Sequence, residues 1–169
     1  MRDDAPTYGS LFAGIGGIDL GLERAGWQPR WQVEYDPEAV RVLEHRWPDV
    51  TRYGDVRTLP LAELERVDLI AGGFPCQPVS VAGRQLAQAD PRWLWPAFAD
   101  VIAALRPRLV LVENVPGLLR YGLGDVLGDL VALGYDAERD RLAALDVGAP
   151  HLRNRIFVLG VRRRRAGGS

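Results

Sequence analysis

Short apolar runs, each stopping at glycine or an acid and each followed by a stretch of helical period, constrain this chain more than any other feature. Residues 8–13 read as a strand running into Gly14-Ile15-Gly16-Gly17. Ile18, Leu20, Leu22 and Ala25 then fall at helical spacing, closed by Gly26. Residues 31–34 form a second run ending at Glu34, and Pro37 opens a helix with Asp36 as its N-cap. A short run at 51–53 precedes Gly54-Asp55, and residues 67–71 precede Gly72-Gly73. A helix is expected over 93–105, stopped by Pro107. Leu109-Val-Leu-Val112 is the most continuous apolar run, so a central strand buried on both faces is expected there, followed by Glu113. A helix over 123–133 ends at Gly134, and strands are expected within 135–145 and over 156–161. This alternation predicts an α/β fold: a doubly wound, mostly parallel sheet with helices on both faces. In such sheets ligands bind beyond the carboxyl ends of the strands. The Gly14 turn, Glu34, Asp55, the segment after Gly73 and Glu113 all fall at such ends.

One of those ends carries the sole cysteine, in Gly72-Gly-Phe-Pro75-Cys76-Gln77-Pro78. The glycines free the backbone as the strand leaves the sheet. Pro75 fixes its own φ and keeps Phe74 out of the helical region, so the thiol sits on a stiffened turn. The plainer reading of a lone cysteine is a small buried hydrophobe. Placement in a loop at a strand end favours chemistry instead.

The first turn, Phe12-Ala-Gly14-Ile-Gly16-Gly17, allows a ligand to approach backbone at a helix N-terminus. It does not meet the dinucleotide fingerprint, because Asp19 stands at the third glycine position. Glu34, twenty positions after Gly14, is placed to hold ribose hydroxyls. A nucleoside-like ligand is therefore expected, with no need for a pyrophosphate.

Taken together, these motifs resemble the C5 cytosine-specific DNA methyltransferase family, in order from Tyr8 to about Val161. The marks are Phe12-Ala-Gly-Ile-Gly-Gly17, Glu34-Tyr35, Gly54-Asp55-Val56, Gly72-Gly-Phe-Pro-Cys-Gln77, Glu113-Asn114-Val115 and Arg153-Asn-Arg155. The resemblance implies an S-adenosylmethionine site on a doubly wound, Rossmann-like sheet whose last strand is antiparallel. It implies that Phe12, Gly14, Gly16, Gly17 and Pro75 border the cofactor. Glu34 would hold the ribose, Tyr35 would pack on adenine, and Asp55 would accept from the adenine amino group with Val56 beside it. Cys76 would be the nucleophile that attacks carbon 6 of cytosine, which turns the ring into an enamine-like species able to take a methyl group at carbon 5. Cysteine best combines nucleophilicity with accessible deprotonation. Glu113 would act at ring N3, and Arg153 and Arg155 would lie near the base. Asn114, with Gln77 and Val115, would tie the Cys76 loop to its neighbours. The base must leave the duplex to reach Cys76. His151 stands where many members have glutamine. Members also continue past Arg155 with a target-recognition region and a final segment that returns to the cofactor site.

The chain has 169 residues with a net charge of -1, 47% hydrophobic and 25% charged, which fits one catalytic domain over 1–169. Its basic residues are all arginine, and 162–169 read as a free basic tail. No apolar run approaches the ~20 residues of a membrane span. No signal peptide is visible, no metal site is expected, and one cysteine suits a reducing, cytoplasmic setting. The expected partners are DNA with an extruded cytosine and a second polypeptide, or second copy, that supplies target recognition. Two rival readings stand: a non-catalytic cofactor-binding relic or partner module of the same fold, and an RNA cytosine-5 methyltransferase.

Overall fold

The computed structural model describes residues 5–75 and 93–164. The chain runs β1 (Thr7–Leu11), α1 (Gly17–Arg24), β2 (Gln28–Val33), α2 (Pro37–Arg46), β3 (Thr51–Tyr53) and β4 (Leu69–Gly72). It continues through α3 (Trp95–Leu105), β5 (Leu109–Asn114), α4 (Leu118–Tyr121), α5 (Leu123–Ala132), β6 (Tyr135–Ala143) and β7 (Asn154–Arg162). Single 3-10 turns follow β3 at Val56–Thr58 and β6 at Ala144–Val147.

The strands form one sheet in the order β3-β2-β1-β4-β5-β7-β6. The pairs from β3 to β5 are parallel, and β7 is antiparallel to both β5 and β6. After β3 the chain returns to the other side of β1, so the strand order reverses between β1 and β4. That reversal opens a crevice at the carboxyl ends of those strands. Strand β3 falls where expected and β6 within its expected range, the ends of the other strands differ by up to three residues from the expected runs, and α3 starts two residues late, at Trp95.

Hydrophobic period sets the packing. Trp95, Phe98, Val101, Ile102 and Leu105 of α3 are buried, as are Val126 and Leu130 of α5. They cover Val110 and Val112 of β5 and Ile156 and Val158 of β7. Trp95 Nε1 donates to Asp129 Oδ2 at 2.8 Å, fixing α3 to α5. Asp36 caps α2 by accepting from the Glu38 amide at 2.8 Å, with Pro37 in its first turn.

The opposite face is only half covered. Helix α1 brings Ile18 and Leu22 onto Tyr8, Leu69 and Ala71, against which Leu109 and Leu111 also pack. Beyond it, Leu159 and Val161 of β7 remain 42% and 43% exposed. Their register partners on β5 are Leu111 and Leu109, which share that face. Strand β5 is therefore buried on one face and half-buried on the other, contrary to the two-sided burial its sequence suggests. The edge strand β6 puts Asp136, Glu138 and Asp140 beside Val161, Leu159 and Phe157. Arg162 ends β7, and Arg163 pairs with Asp136 at 2.7 Å, so these two residues are held rather than forming a free tail. Residues 165–169 lie outside the described residues. No helix among the described residues is long and apolar enough to cross a membrane.

Gly9 of β1 lies under Trp31, whose ring atoms would be 2.0 Å from an added Cβ. Trp31 is buried and donates from Nε1 to the Glu65 carbonyl at 3.0 Å, so the ring is anchored. Gly9→Ala should therefore cost at least about 1–3 kcal/mol by overpacking. Urea denaturation of the two proteins measures it, and equal midpoints would show that the ring can move aside.

Candidate active site

Two clefts meet at the carboxyl end of the sheet. The first, about 420 Å³, is lined by Phe12, Glu34, Tyr35, Asp55, Val56, Arg57, Pro75 and Leu94, with Val33, Asp36, Gly54 and Gly73 completing it. The second, about 570 Å³, contains Glu113, Arg153, Leu111 and Phe157 against Ile15, Gly17, Ile18 and Leu22 of the first turn and helix. Phe12 and Gly73 line both.

The glycine turn is shaped by three left-handed residues. Gly14 and Gly16 have φ of 56° and 83°, and Phe12, with a side chain, has φ of 53°. A left-handed phenylalanine costs about 1–3 kcal/mol and persists only where its surroundings hold it. Here its ring stacks on Phe98 at 6.3 Å. Gly16 is needed for a second reason: the Trp47 ring lies 2.3 Å from where its Cβ would be.

Glu34 follows β2 and braces this turn. Its Oε2 accepts from the Gly14 amide at 2.6 Å and its Oε1 from the Asp36 amide at 2.8 Å. A carboxylate has about four acceptor sites, so capacity remains for ligand hydroxyls. Asp55 follows β3 and caps the 3-10 turn, accepting from the Arg57 amide at 2.9 Å. Hydrogen bonds from the Arg57 guanidinium and amide hold its carboxyl below the usual range. Tyr35 is 78% exposed at the mouth of the cleft. The sequence reading missed Arg57 and Leu94. The Arg57 pairing follows from its position two residues after an acid that opens a turn. Leu94 enters through tertiary packing, for which the sequence carries no local signal.

On the other side, β5 presents Glu113 and Asn114. Glu113 Oε1 lies 2.6 Å from Arg155 Nε, and both side chains are about a quarter exposed, at 23% and 22%. Arg153 is exposed and lines the same cleft. Phe157 sits opposite Glu113 in the β5–β7 register. Buried Asn114 donates from Nδ2 to the Phe74 carbonyl at 3.0 Å, and its Oδ1 accepts from the Val115 amide at 2.8 Å. It thus holds the backbone two residues before Cys76. Cys76 and Gln77 themselves lie outside the described residues.

A third cleft, larger than these two at about 1120 Å³, lies at the amino ends of the strands and contains none of the expected site residues. It is lined by Asp68, Arg106, Arg108, Val161 and Arg162 to Arg164. Arg106 and Arg162 donate to the Leu133 and Arg106 carbonyls, and Arg163 to Asp136, so much of this charge serves the fold.

With this geometry in place, comparison with known proteins is decisive. The model of the C-5 cytosine-specific DNA methylase family matches residues 7–166. The chain belongs to that family. It is 39% identical over 165 residues to the Type II methyltransferase M.HgiCII of Herpetosiphon aurantiacus, covering 91% of this chain and 37% of that protein. To the Type II methyltransferase M.HaeII of Haemophilus aegyptius it is 36% identical over 155 residues, covering 89% and 48%. The chain thus spans half or less of these relatives. Among solved structures, the Spodoptera frugiperda DNMT2 mutant matches in fold with a TM-score of 0.79 at 22% identity, over 96% of this chain and 51% of that one.

Removing the Asn114 side chain takes the partner from the buried Phe74 carbonyl and from the part-buried Val115 amide. Asn114→Ala should lower stability by about 1–3 kcal/mol. Denaturant titration checks this, and an unchanged midpoint would mean that solvent replaces both bonds.

Proposed function

We propose that this chain carries the catalytic part of an S-adenosylmethionine-dependent DNA (cytosine-5)-methyltransferase. The observation that carries the reading is the pair of clefts sharing Phe12 and Gly73 as a common wall. One has the residues for a nucleoside-bearing donor and the other those for a base, so a group can pass between them over a short path.

The first cleft fits the donor chemically. Its volume lies in the ordinary range of small-molecule sites, about 300–1,000 Å³. Phe12, Val56, Leu94 and Pro75 offer apolar walls for a purine, with Tyr35 at the rim. Glu34 would accept from the ribose hydroxyls. Asp55 would accept from the purine amino group on the lone pairs that Arg57 leaves free. Gly14, Gly16 and Gly17 would let the rest of the donor approach the backbone. When bound, the donor supplies an electrophilic methyl group for carbon 5 of cytosine.

The chain's own residues would do the rest. The Cys76 thiolate adds to carbon 6, forming an S–C bond and pushing electron density onto carbon 5 and toward ring N3. Glu113, braced by Arg155, would offset that charge at N3. Arg153, exposed in the same cleft, would bind the flipped nucleotide. Once carbon 5 is methylated, loss of its proton and expulsion of the Cys76 thiolate restore the aromatic ring. The relic reading is disfavoured because Cys76, Glu113, Arg153 and Arg155 are all present.

The reaction gives a sharp outcome. Wild type should form a covalent adduct with DNA containing 5-fluorocytosine, because fluorine at carbon 5 blocks the release step. Cys76→Ser should form none and lose methyl transfer by more than about a thousandfold, since a nucleophile is rarely replaceable. Its affinity for the donor should stay within about twofold of wild type, because Cys76 acts on the base. Turnover near the wild-type rate would remove Cys76 as nucleophile.

Target recognition is proposed to come from residues outside this chain, on a second polypeptide or second copy. Support comes from the bare strip of Leu159 and Val161, an apolar surface beside the second cleft that no described segment covers. Sequence readout needs side chains that reach base edges, positioned by phosphate contacts. The described segments are committed to the sheet, its helices and the clefts. Tritiated-methyl transfer to duplex DNA should be slow and unselective with this chain alone. It should become fast and selective on adding the product of a neighbouring gene. Selective, rapid methylation of DNA over RNA by the isolated monomer would reject the partner while keeping the chemistry.

A further inference from the structure

The carboxylate of Asp19 takes no part in the chemistry above, yet it is wholly buried. Ser10 Oγ donates to its Oδ2 at 3.0 Å and Gln32 Nε2 to its Oδ1 at 2.9 Å. The Tyr8 hydroxyl donates to its backbone carbonyl at 3.2 Å. No cation pairs with it among the described residues. Burial raises the carboxyl above its usual range against the bonds from Gln32 and Ser10, which lower it. Both carboxyl oxygens accept hydrogen bonds from these donors, the arrangement that suits the ionised form. A buried charge without a counter-ion is costly, and a neutral side chain of the same size would avoid that cost.

Its location gives the charge a use. Asp19 is the third residue of α1, and helical side chains lean toward the N-terminus, here the glycine turn. Ser10 lies two residues before Phe12 on the first strand, and Gln32 two residues before Glu34 on the second. Phe12 and Glu34 both line the first cleft. Ser10 and Gln32 are the next-to-last residues of β1 and β2, so the carboxylate they hold lies under the strand ends from which Phe12 and Glu34 follow, within about 10 Å of them. At that range, with protein rather than water between, a unit charge is felt strongly and is little screened by salt.

We propose that Asp19 makes the glycine-turn cleft selective for a positively charged ligand, holding the sulfonium donor more tightly than the neutral thioether product. The inference rests on reading that cleft as the donor site. Donor and product differ by one methyl group and one positive charge, and a buried anion separates them by charge without touching either. Asp19 is thus a specificity-determining residue and not a catalytic one. Discrimination of this kind favours exchange of spent product for fresh donor after each turnover.

The test is calorimetric titration of the full chain with S-adenosylmethionine and with S-adenosylhomocysteine. In Asp19→Asn, the preference for the donor should fall by about threefold or more, through weaker donor binding with product binding little changed. A purely structural role would weaken both ligands alike, and an unchanged ratio overturns the proposal. The wild type offers a check that needs no variant. Its ratio should hold between about 50 mM and about 1 M salt, because a buried charge escapes screening. Collapse of the ratio in salt would assign the preference to surface groups and overturn the proposal. If folded wild type binds neither ligand, the donor-site reading itself fails, an outcome distinct from binding without discrimination.

Discussion

The carboxyl end of the sheet depends on how closely three backbones pass one another. A Cβ on Gly72 would lie 2.3 Å from the Leu11 carbonyl oxygen, and one on Gly73 would lie 3.2 Å from the Glu113 carbonyl oxygen and 2.5 Å from its side-chain Oε2. Only glycine permits this approach. It lets β4 leave the sheet wedged between β1 and β5, with Asn114 holding the departing chain through Phe74. The two clefts share a wall because these strands converge. Any side chain at Gly73 would force Glu113 away from Arg155 or push the Phe74 segment outward.

The sheet's faces differ in a way that bears on assembly. On one, α3 and α5 bury β5 and β7 completely. On the other, α1 stops short, and an apolar strip about two strands wide remains. Two strands span about 10 Å, close to the diameter of one helix with its side chains. The strip runs beside the cleft of Glu113 and Arg153, so whatever covers it would border that cleft as well as the sheet.

Much of this was legible in the sequence because strand ends are marked by residues with few alternative uses. Gly14, Glu34, Asp55, Gly73 and Glu113 each end a run of apolar residues, and all five line one cleft or stand in the turn beside it. Asp36 and Pro37 announced their helix through capping chemistry. What stayed hidden depends on tertiary partners. The insertion of β7 between β5 and β6 cannot be read from the alternation of its side chains, and its antiparallel direction came only from family resemblance. Asp19 read as a missing glycine, because burial beneath a turn has no local signature. The half-bare face of β5 was hidden too, since a continuous apolar run looks the same with one helix over it or two.

Strand β6 has a further consequence. It is nine residues long, lies at the sheet's edge, and carries Asp136, Glu138, Arg139, Asp140 and Arg141 in close succession. Open strand edges recruit other strands, and dense charge is one way to discourage this. Joining two such edges would bring like charges on neighbouring chains together and strip water from them. The chain can therefore leave an apolar strip uncovered without its nearest edge seeding aggregates. The charged edge acts as a guard rail against edge-to-edge pairing.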